Sequence, residues 1–281
     1  MSNDKSAVAG FFVSFQKSIF AVILDRPILI IILVMKIIFL GTNGWCPTST
    51  GQNLSILIDA AEGYFILDAG SGFFKARQYL TDPDKPVRVF LSHFHLDHIF
   101  GLHTLPAFNL KNGLTIYGQP GLEKNLSAAI NHPFALPVAE MSFPVSLVEL
   151  SAGPQTLSFL PATDYLVHAD PCFGYRFFLE GKIISFCTDT GECDSLVKLS
   201  QAADLLICEC STKNTPDPAW PHLNPEMAAT MAQKAGVKKL ALVHFGADSF
   251  STMTDRVTAE ERAKKIFPQT IATHDDLIIE I

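Results

Sequence analysis

The chain has 281 residues, 48% of them apolar and 22 of them phenylalanine, which is material for one large α/β domain or two small ones. A formal net charge of −7 argues against a broad nucleic-acid-binding surface while leaving room for a local basic patch. Six cysteines without a Cys-x-x-Cys pair point to reduced thiols and a cytoplasmic setting.

The first 34 residues stand apart. Phe11 to Leu24 is apolar but interrupted by Gln16 and Lys17, and Asp25-Arg26-Pro27 separates it from the run Ile28 to Met35. No uncharged apolar stretch reaches the length of a transmembrane helix, and no small-residue cleavage site follows an apolar core. Either Met35 begins the native chain and the upstream residues are a translation artefact, or 1–34 is an extension touching a membrane or a partner. The main folded domain is expected over 35–281.

Strands are expected over Lys36–Leu40, Leu54–Ile58 and Tyr64–Leu67, with the glycine-dependent turn Asp68-Ala69-Gly70-Ser71-Gly72 and a helical segment near Phe74–Leu80 following. After the strand Val87–Leu91, further segments read as helix over Gly101–Phe108 and Gly121–Ala129, with a strand at Leu114–Tyr117 between them. Val145–Leu150, Thr156–Leu160 and Tyr165–His168 read as strands, and Gly174–Cys187 as a hairpin turning at Glu180-Gly181. Leu205–Cys208 is strand, with Cys208 and Cys210 expected as small buried side chains rather than ligands. Asn224-Pro225-Glu226 opens a helix that ends at Gly236. Lys239–Val243 reads as strand, Thr258–Ile266 as helix and Leu277–Ile281 as a terminal strand. Strands cluster in each half instead of alternating strictly with helices, which excludes a simple doubly wound parallel sheet.

The most specific feature is Ser92-His93-Phe94-His95-Leu96-Asp97-His98, a His-x-His-x-Asp-His motif directly after an apolar strand. Imidazole and carboxylate are donors that zinc prefers, and alternate residues leaving a strand lie to one side. A solvated histidine-rich loop is the competing reading. Further polar residues follow apolar strand-like runs in order, namely His168, Asp189 and His244.

This arrangement resembles the metallo-β-lactamase superfamily, over about Met35 to Ile281. The resemblance implies an α/β fold, a four-layer αβ/βα sandwich of two mixed β-sheets. It also implies two divalent cations, Zn²⁺ first and Mn²⁺ or Fe²⁺ next, with His93, His95 and His168 on one metal and Asp97, His98 and His244 on the other. Asp189 would bridge them, and a hydroxide shared by the metals would be the nucleophile, with Asp97 orienting the attacking water.

Within the superfamily, an aspartate at 189 favours phosphodiesterase, lactonase and thioester-hydrolase branches over zinc β-lactamases. His222, in Trp220-Pro221-His222-Leu223-Asn224-Pro225, resembles the proton-donating histidine of the ribonuclease Z branch, and Glu209 stands where that branch supports it. The alternatives are a loop histidine without a role and a surface or capping carboxylate. Cys208 replaces a histidine usual in that branch. Only 20 residues separate His168 from Asp189, room for a hairpin but not for a long tRNA-binding arm.

The expected activity is therefore phosphodiester hydrolysis in a small or cyclic substrate or an RNA end. The alternatives are tRNA 3′-end processing and ester, lactone or thioester hydrolysis. No stable nucleic-acid complex is expected, a weakly held homodimer is, and membrane contact enters only if 1–34 belongs to the native chain. Asp68 is expected either to hydrogen-bond a ligand imidazole or to serve its turn. Tyr175 and Pro171–Gly174 are expected at the pocket or in the core, and His103, His132 and His274 at the surface.

Overall fold

A computed structural model describes residues 34–281, so the expectations for 1–34 fall outside it except at the last residue. The first half comprises β1 (Lys36–Gly41), β2 (Asn43–Gly44), β3 (Ser55–Ala60), β4 (Gly63–Leu67), β5 (Val87–Phe90), α1 (Leu96–Ile99), β6 (Leu114–Gly118), α2 (Leu122–Ala129) and β7 (Val145–Glu149). The second half continues with β8 (Gly153–Leu157), β9 (Leu160–Leu166), β10 (Cys172–Leu179), β11 (Lys182–Cys187), α3 (Asp194–Ser200), β12 (Leu205–Glu209), α4 (Pro225–Ala235) and β13 (Leu240–Val243). It closes with β14 (Phe245–Gly246), α5 (Met253–Lys264), β15 (Thr270–Ala272) and β16 (Ile278–Glu280).

Two seven-stranded sheets result. One has the order β16-β1-β3-β4-β5-β6-β7, antiparallel from β16 to β4 and parallel from β4 to β7. The other has the order β15-β13-β12-β11-β10-β9-β8, parallel from β15 to β11 and antiparallel beyond. The last strand, β16, returns to the first sheet beside β1, closing the chain on itself.

The strands are nearly continuous apolar runs because both faces are covered. Along β1, Ile37 and Phe39 enter the core between the sheets, and Ile38 and Leu40 enter the core outside. Along β12, Leu205 and Ile207 point inward while Leu206 and Cys208 point outward. The outer core of the first sheet is closed by α2 and by two 3₁₀ segments, Ser71–Gln78 and Phe100–Ala107, through Phe73, Leu102, Leu105 and Leu122. That of the second sheet is closed by α3, α4 and α5, whose Ala228, Ala232, Ala259 and Ala263 are small enough for close approach. The result is the four-layer αβ/βα sandwich that the superfamily resemblance implied.

Local chemistry accounts for several boundaries. Asn224 caps α4 by accepting the Met227 N–H at 2.9 Å, Pro225 occupies the first turn, and Gly236 ends the helix at φ 64°. The β10–β11 hairpin turns through Glu180 and Gly181, both at positive φ (49° and 75°), which suits the twist of the flanking strands.

Other boundaries differ from the sequence reading. Thr156–Leu160 is not one strand, because Leu157 pairs with Leu160 across the two-residue turn Ser158-Phe159. Neither turn residue is Gly, Asn or Pro, so the break leaves no signal. The strand expected to reach His168 ends at Leu166, leaving the histidine two residues beyond it. The helix expected from Thr258 begins at Met253, because Thr252 and Asp255 cap each other's backbone N–H groups.

All six cysteines are free, with Cys172, Cys187, Cys208 and Cys210 buried and Cys46 and Cys193 partly exposed. Among the described residues, no helix is long and apolar enough to cross a membrane. Replacing the cap by Thr252→Ala is expected to cost about 1 kcal/mol, with Thr252→Ser nearly neutral. Urea unfolding checks this as a lower midpoint at unchanged m-value.

Candidate active site

The expected site residues leave their strands at one edge of the sandwich. His93, His95, Asp97 and His98 follow β5, while Asp189 lies two residues past β11, Glu209 ends β12 and His244 follows β13. Since β9 and β11 each run antiparallel to β10, His168 emerges beyond β9 in the same direction as Asp189. Carboxyl ends of parallel strands are where α/β architectures gather polar groups.

Asp68 organises the first histidines. It is fully buried, and its carboxylate accepts the Ser92 N–H at 2.7 Å, the Ser92 hydroxyl at 2.8 Å and His98 Nδ1–H at 2.7 Å. Because the Ser92 hydrogen is committed to Asp68, Ser92 Oγ must accept from His93 Nδ1, 3.0 Å away. Both rings are thereby held with Nδ1 toward Asp68 or Ser92 and Nε2 toward the site. Of the two roles weighed for Asp68, it fills the one that orients an imidazole, and it orients a second ring through Ser92.

Seven side chains then converge. Donor atoms of His93, His95, His168 and Asp189 lie within 4.8 Å of one another, as do those of Asp97, His98 and His244. Asp189 faces both groups. Its Oδ2 is 3.9 Å from Nε2 of His93 and of His168, and its Oδ1 is 3.3 Å from Nε2 of His98 and of His244. Asp97 Oδ2 is 3.5 Å from Nε2 of both His98 and His244. Burial raises the Asp97 and Asp189 pKa values, but the surrounding imidazoles, His98 and His244 foremost, outweigh it and hold both carboxyls below their ordinary range. Burial likewise dominates at His93 and lowers its pKa, keeping the ring neutral.

Holding these groups together strains the chain. Asp68, Asp189 and His244 adopt φ values of 54°, 48° and 53°, the left-handed region that costs a side-chain-bearing residue about 1–2 kcal/mol. His244 is seated by the short pairing of β14 with β2, where Gly44 lies against its ring. A Cβ at Gly44 would come within 2.5 Å of the imidazole. Tyr175 belongs to the core and not to the pocket, as do Cys172 and Phe173. Its hydroxyl nevertheless donates to Leu91 O at 2.6 Å, bracing the backbone just ahead of the histidine motif.

His222 and Glu209 form a pair. His222 Nδ1 lies 2.8 Å and 3.0 Å from the two carboxylate oxygens of Glu209. Glu209 is fully buried and also accepts the backbone N–H groups of Thr190, Ser211 and Leu223, so it is neither a surface nor a helix-capping carboxylate. Burial lowers the His222 pKa, but the Glu209 carboxylate overcomes this and raises it to about 9. His222 also shares a cluster with Asp189 and His244. By contrast, His103, His132 and His274 are exposed.

Two participants were not singled out from sequence. Asp170 Oδ2 lies 2.8 Å from His95 Nε2, orienting the one motif histidine that Asp68 does not reach. Trp45 donates its backbone N–H to Asp97 Oδ2 at 2.7 Å, and its ring meets that of Trp220. Asp170 follows His168 by two positions, but nothing in Ala-Asp-Pro distinguishes it from an ordinary turn.

The donor set fits a pair of cations. Nε2 of His93, both ring nitrogens of His168 and Nδ1 of His244 are buried without a hydrogen-bond partner. Buried polar atoms are ordinarily satisfied, and the free Nε2 atoms of His93 and His168 both face the Asp189 carboxylate, the donor set a divalent metal requires.

Residues 55–245, well over half the chain, match the family described as the beta-lactamase superfamily domain. The chain belongs to the beta-lactamase superfamily. It is a metal-dependent hydrolase whose clustered histidines and aspartates supply two divalent-cation positions. Ribonuclease Z of Trichodesmium erythraeum is 29% identical, across 88% of this chain and 95% of that protein. Among solved structures, the metallo-beta-lactamase fold protein YhfI from Bacillus subtilis superposes with a TM-score of 0.72 at 21% identity, covering 88% of this chain and 99% of YhfI. The short form of human tRNase Z gives 0.62 at 22% identity, over 87% of this chain and 98% of that one. At these identities the two structures speak for the fold, and they share it.

Gly44→Ala is expected to displace the His244 ring and lower the divalent metal retained per chain, with secondary structure intact. Elemental analysis after gel filtration, beside circular dichroism, measures both.

Proposed function

We propose that the protein is a phosphodiesterase acting on a small or cyclic phosphodiester or an exposed RNA end. The observation that carries this reading is the Glu209–His222 pair beside Asp189. Expelling an alkoxide from a phosphodiester requires a proton at the leaving oxygen, and a buried carboxylate holding an imidazole at Nδ1 leaves Nε2–H to deliver it. Thioester cleavage on the same frame expels a thiolate and makes no such demand for a dedicated, carboxylate-supported acid, whereas an ester or lactone also releases an alkoxide and is separated by the substrate panel below.

In this reading His93, His95 and His168 would hold one cation and Asp97, His98 and His244 the other, with Asp189 facing both groups. When bound, the two cations supply Lewis acidity toward the phosphoryl oxygens and lower the pKa of a water that becomes the nucleophile. The protein's own groups do the rest. Asp68, through Ser92 and directly, turns Nε2 of His93 and His98 toward the site, and Asp170 orients His95. Asp97, tied to the Trp45 N–H, is positioned to orient the attacking water. His222 protonates the departing oxygen, and Glu209 stabilises the imidazolium before transfer and fixes its tautomer.

The tight Glu180-Gly181 hairpin between His168 and Asp189 supports a substrate of limited size over an elongated RNA. A reduced, cytoplasmic setting agrees with the free thiols.

The expected result is chelator-sensitive hydrolysis of bis(p-nitrophenyl) phosphate and of a 2′,3′-cyclic nucleotide, exceeding that of a lactone, with precursor tRNA cleaved poorly. Turnover of the lactone alone would refute the phosphodiesterase reading, and efficient 3′ cleavage of precursor tRNA would replace it with tRNA processing. His222→Ala is expected to lower kcat/KM on the cyclic nucleotide about 100-fold or more. The loss on bis(p-nitrophenyl) phosphate should be much smaller, since p-nitrophenolate departs without a proton.

A further inference from the structure

The two tryptophans of the chain stand together at the mouth of the site, although 175 positions separate Trp45 from Trp220. Their rings meet edge to face, with centroids 6.2 Å apart and planes at 83°. Trp45 is 67% exposed and Trp220 38% exposed, whereas among the described residues most phenylalanine and tyrosine rings are buried. Neither is loosely placed. Trp45 sits at φ 71° with its N–H bound to Asp97 Oδ2. The Trp220 ring lies parallel to that of His95, 5.8 Å away at 5°, and 5.6 Å and 6.4 Å from the rings of His168 and His222.

We propose that Trp45 and Trp220 form a stacking corner for the heterocyclic base of a nucleotide substrate. A base lying flat on one indole meets the other edge-on, the arrangement aromatic quadrupoles favour. The Trp220 ring borders His95 and His168 and shares a three-residue segment with the proton donor, so a ring held there is one sugar away from a phosphate at the catalytic groups. Among the described residues, the carboxylates of the two clusters and Glu209 pair with imidazoles and not with Lys or Arg. Stacking on the two indoles supplies the preference for a base, and one base on an aromatic side chain is worth roughly 5- to 150-fold in affinity. The inference rests on the phosphodiesterase reading and narrows its substrates to nucleotides.

Because these are the only indoles in the sequence, intrinsic fluorescence excited at the red edge of tryptophan absorption reports on this corner. The metal-loaded protein is titrated with AMP, and ribose 5-phosphate competes against it. Saturable quenching by AMP is expected, with at least tenfold tighter binding than ribose 5-phosphate. Equilibrium dialysis with radiolabelled AMP gives the same ratio for variants whose emission is altered. Trp45→Leu and Trp220→Leu should each reduce the ratio fivefold or more, whereas Trp45→Phe and Trp220→Phe should keep most of it. Equal affinity for the two probes, no binding of either, or an unchanged ratio in both leucine variants would overturn the proposal. Failure of the phosphodiesterase reading shows separately, as base-selective binding without turnover of any diester.

Discussion

One buried carboxylate determines whether the metal centre can exist. Five imidazoles brought within a few ångströms of one another would accept protons and repel, or hydrogen-bond among themselves, unless their tautomers were imposed. Asp68 imposes two of them, accepting a hydrogen bond from His98 Nδ1 directly and from the Ser92 hydroxyl, which in turn accepts from His93 Nδ1. It does so from a fully buried turn residue in the left-handed region, where the surrounding backbone, including the Ala69 and Gly70 N–H bonds to His98 O and Leu54 O, holds it. A carboxamide at this position could not accept all three hydrogens.

The two sheets contribute unequal parts. The first supplies a contiguous loop with four candidate donors, and the second supplies single residues from β9, β11, β12 and β13. Only face-to-face packing of both sheets brings Asp189 against His98 and His93. The phenylalanines and aliphatic residues of the central core thus maintain the distances at the rim, and a rotation of one sheet on the other would separate the two donor groups before it unfolded either half.

Much of this was legible in the chain because polar residues after apolar runs are conspicuous. His93 to His98, His168, Asp189 and His244 stand out for that reason, and Asn224-Pro225 with Gly236 announced α4 through backbone chemistry. What escaped was either short or non-local. The turn at Ser158-Phe159 uses residues that strands also use, and α3 and β15 are too brief to show a period. Asp170 lies 75 positions from the histidine it orients, and Gly44 matters only because a ring from position 244 rests on it. Such roles exist only in three dimensions. Tyr175 shows the converse, since its aromatic ring is ordinary core while its hydroxyl steadies the strand end that carries the metal motif.

The distribution of thiols has a practical corollary. Burial pushes the pKa of Cys172, Cys208 and Cys210 well up and that of Cys187 to about 12, so these four remain protonated and inert to electrophiles in the folded state. The two partly exposed cysteines, Cys46 next to Trp45 and Cys193 against the Thr190 hydroxyl, both lie close in sequence to residues of the site. Maleimide chemistry on the unmodified polypeptide would consequently decorate these two positions and spare the interior, giving a spin label or fluorophore a vantage point on the site without any engineered attachment point.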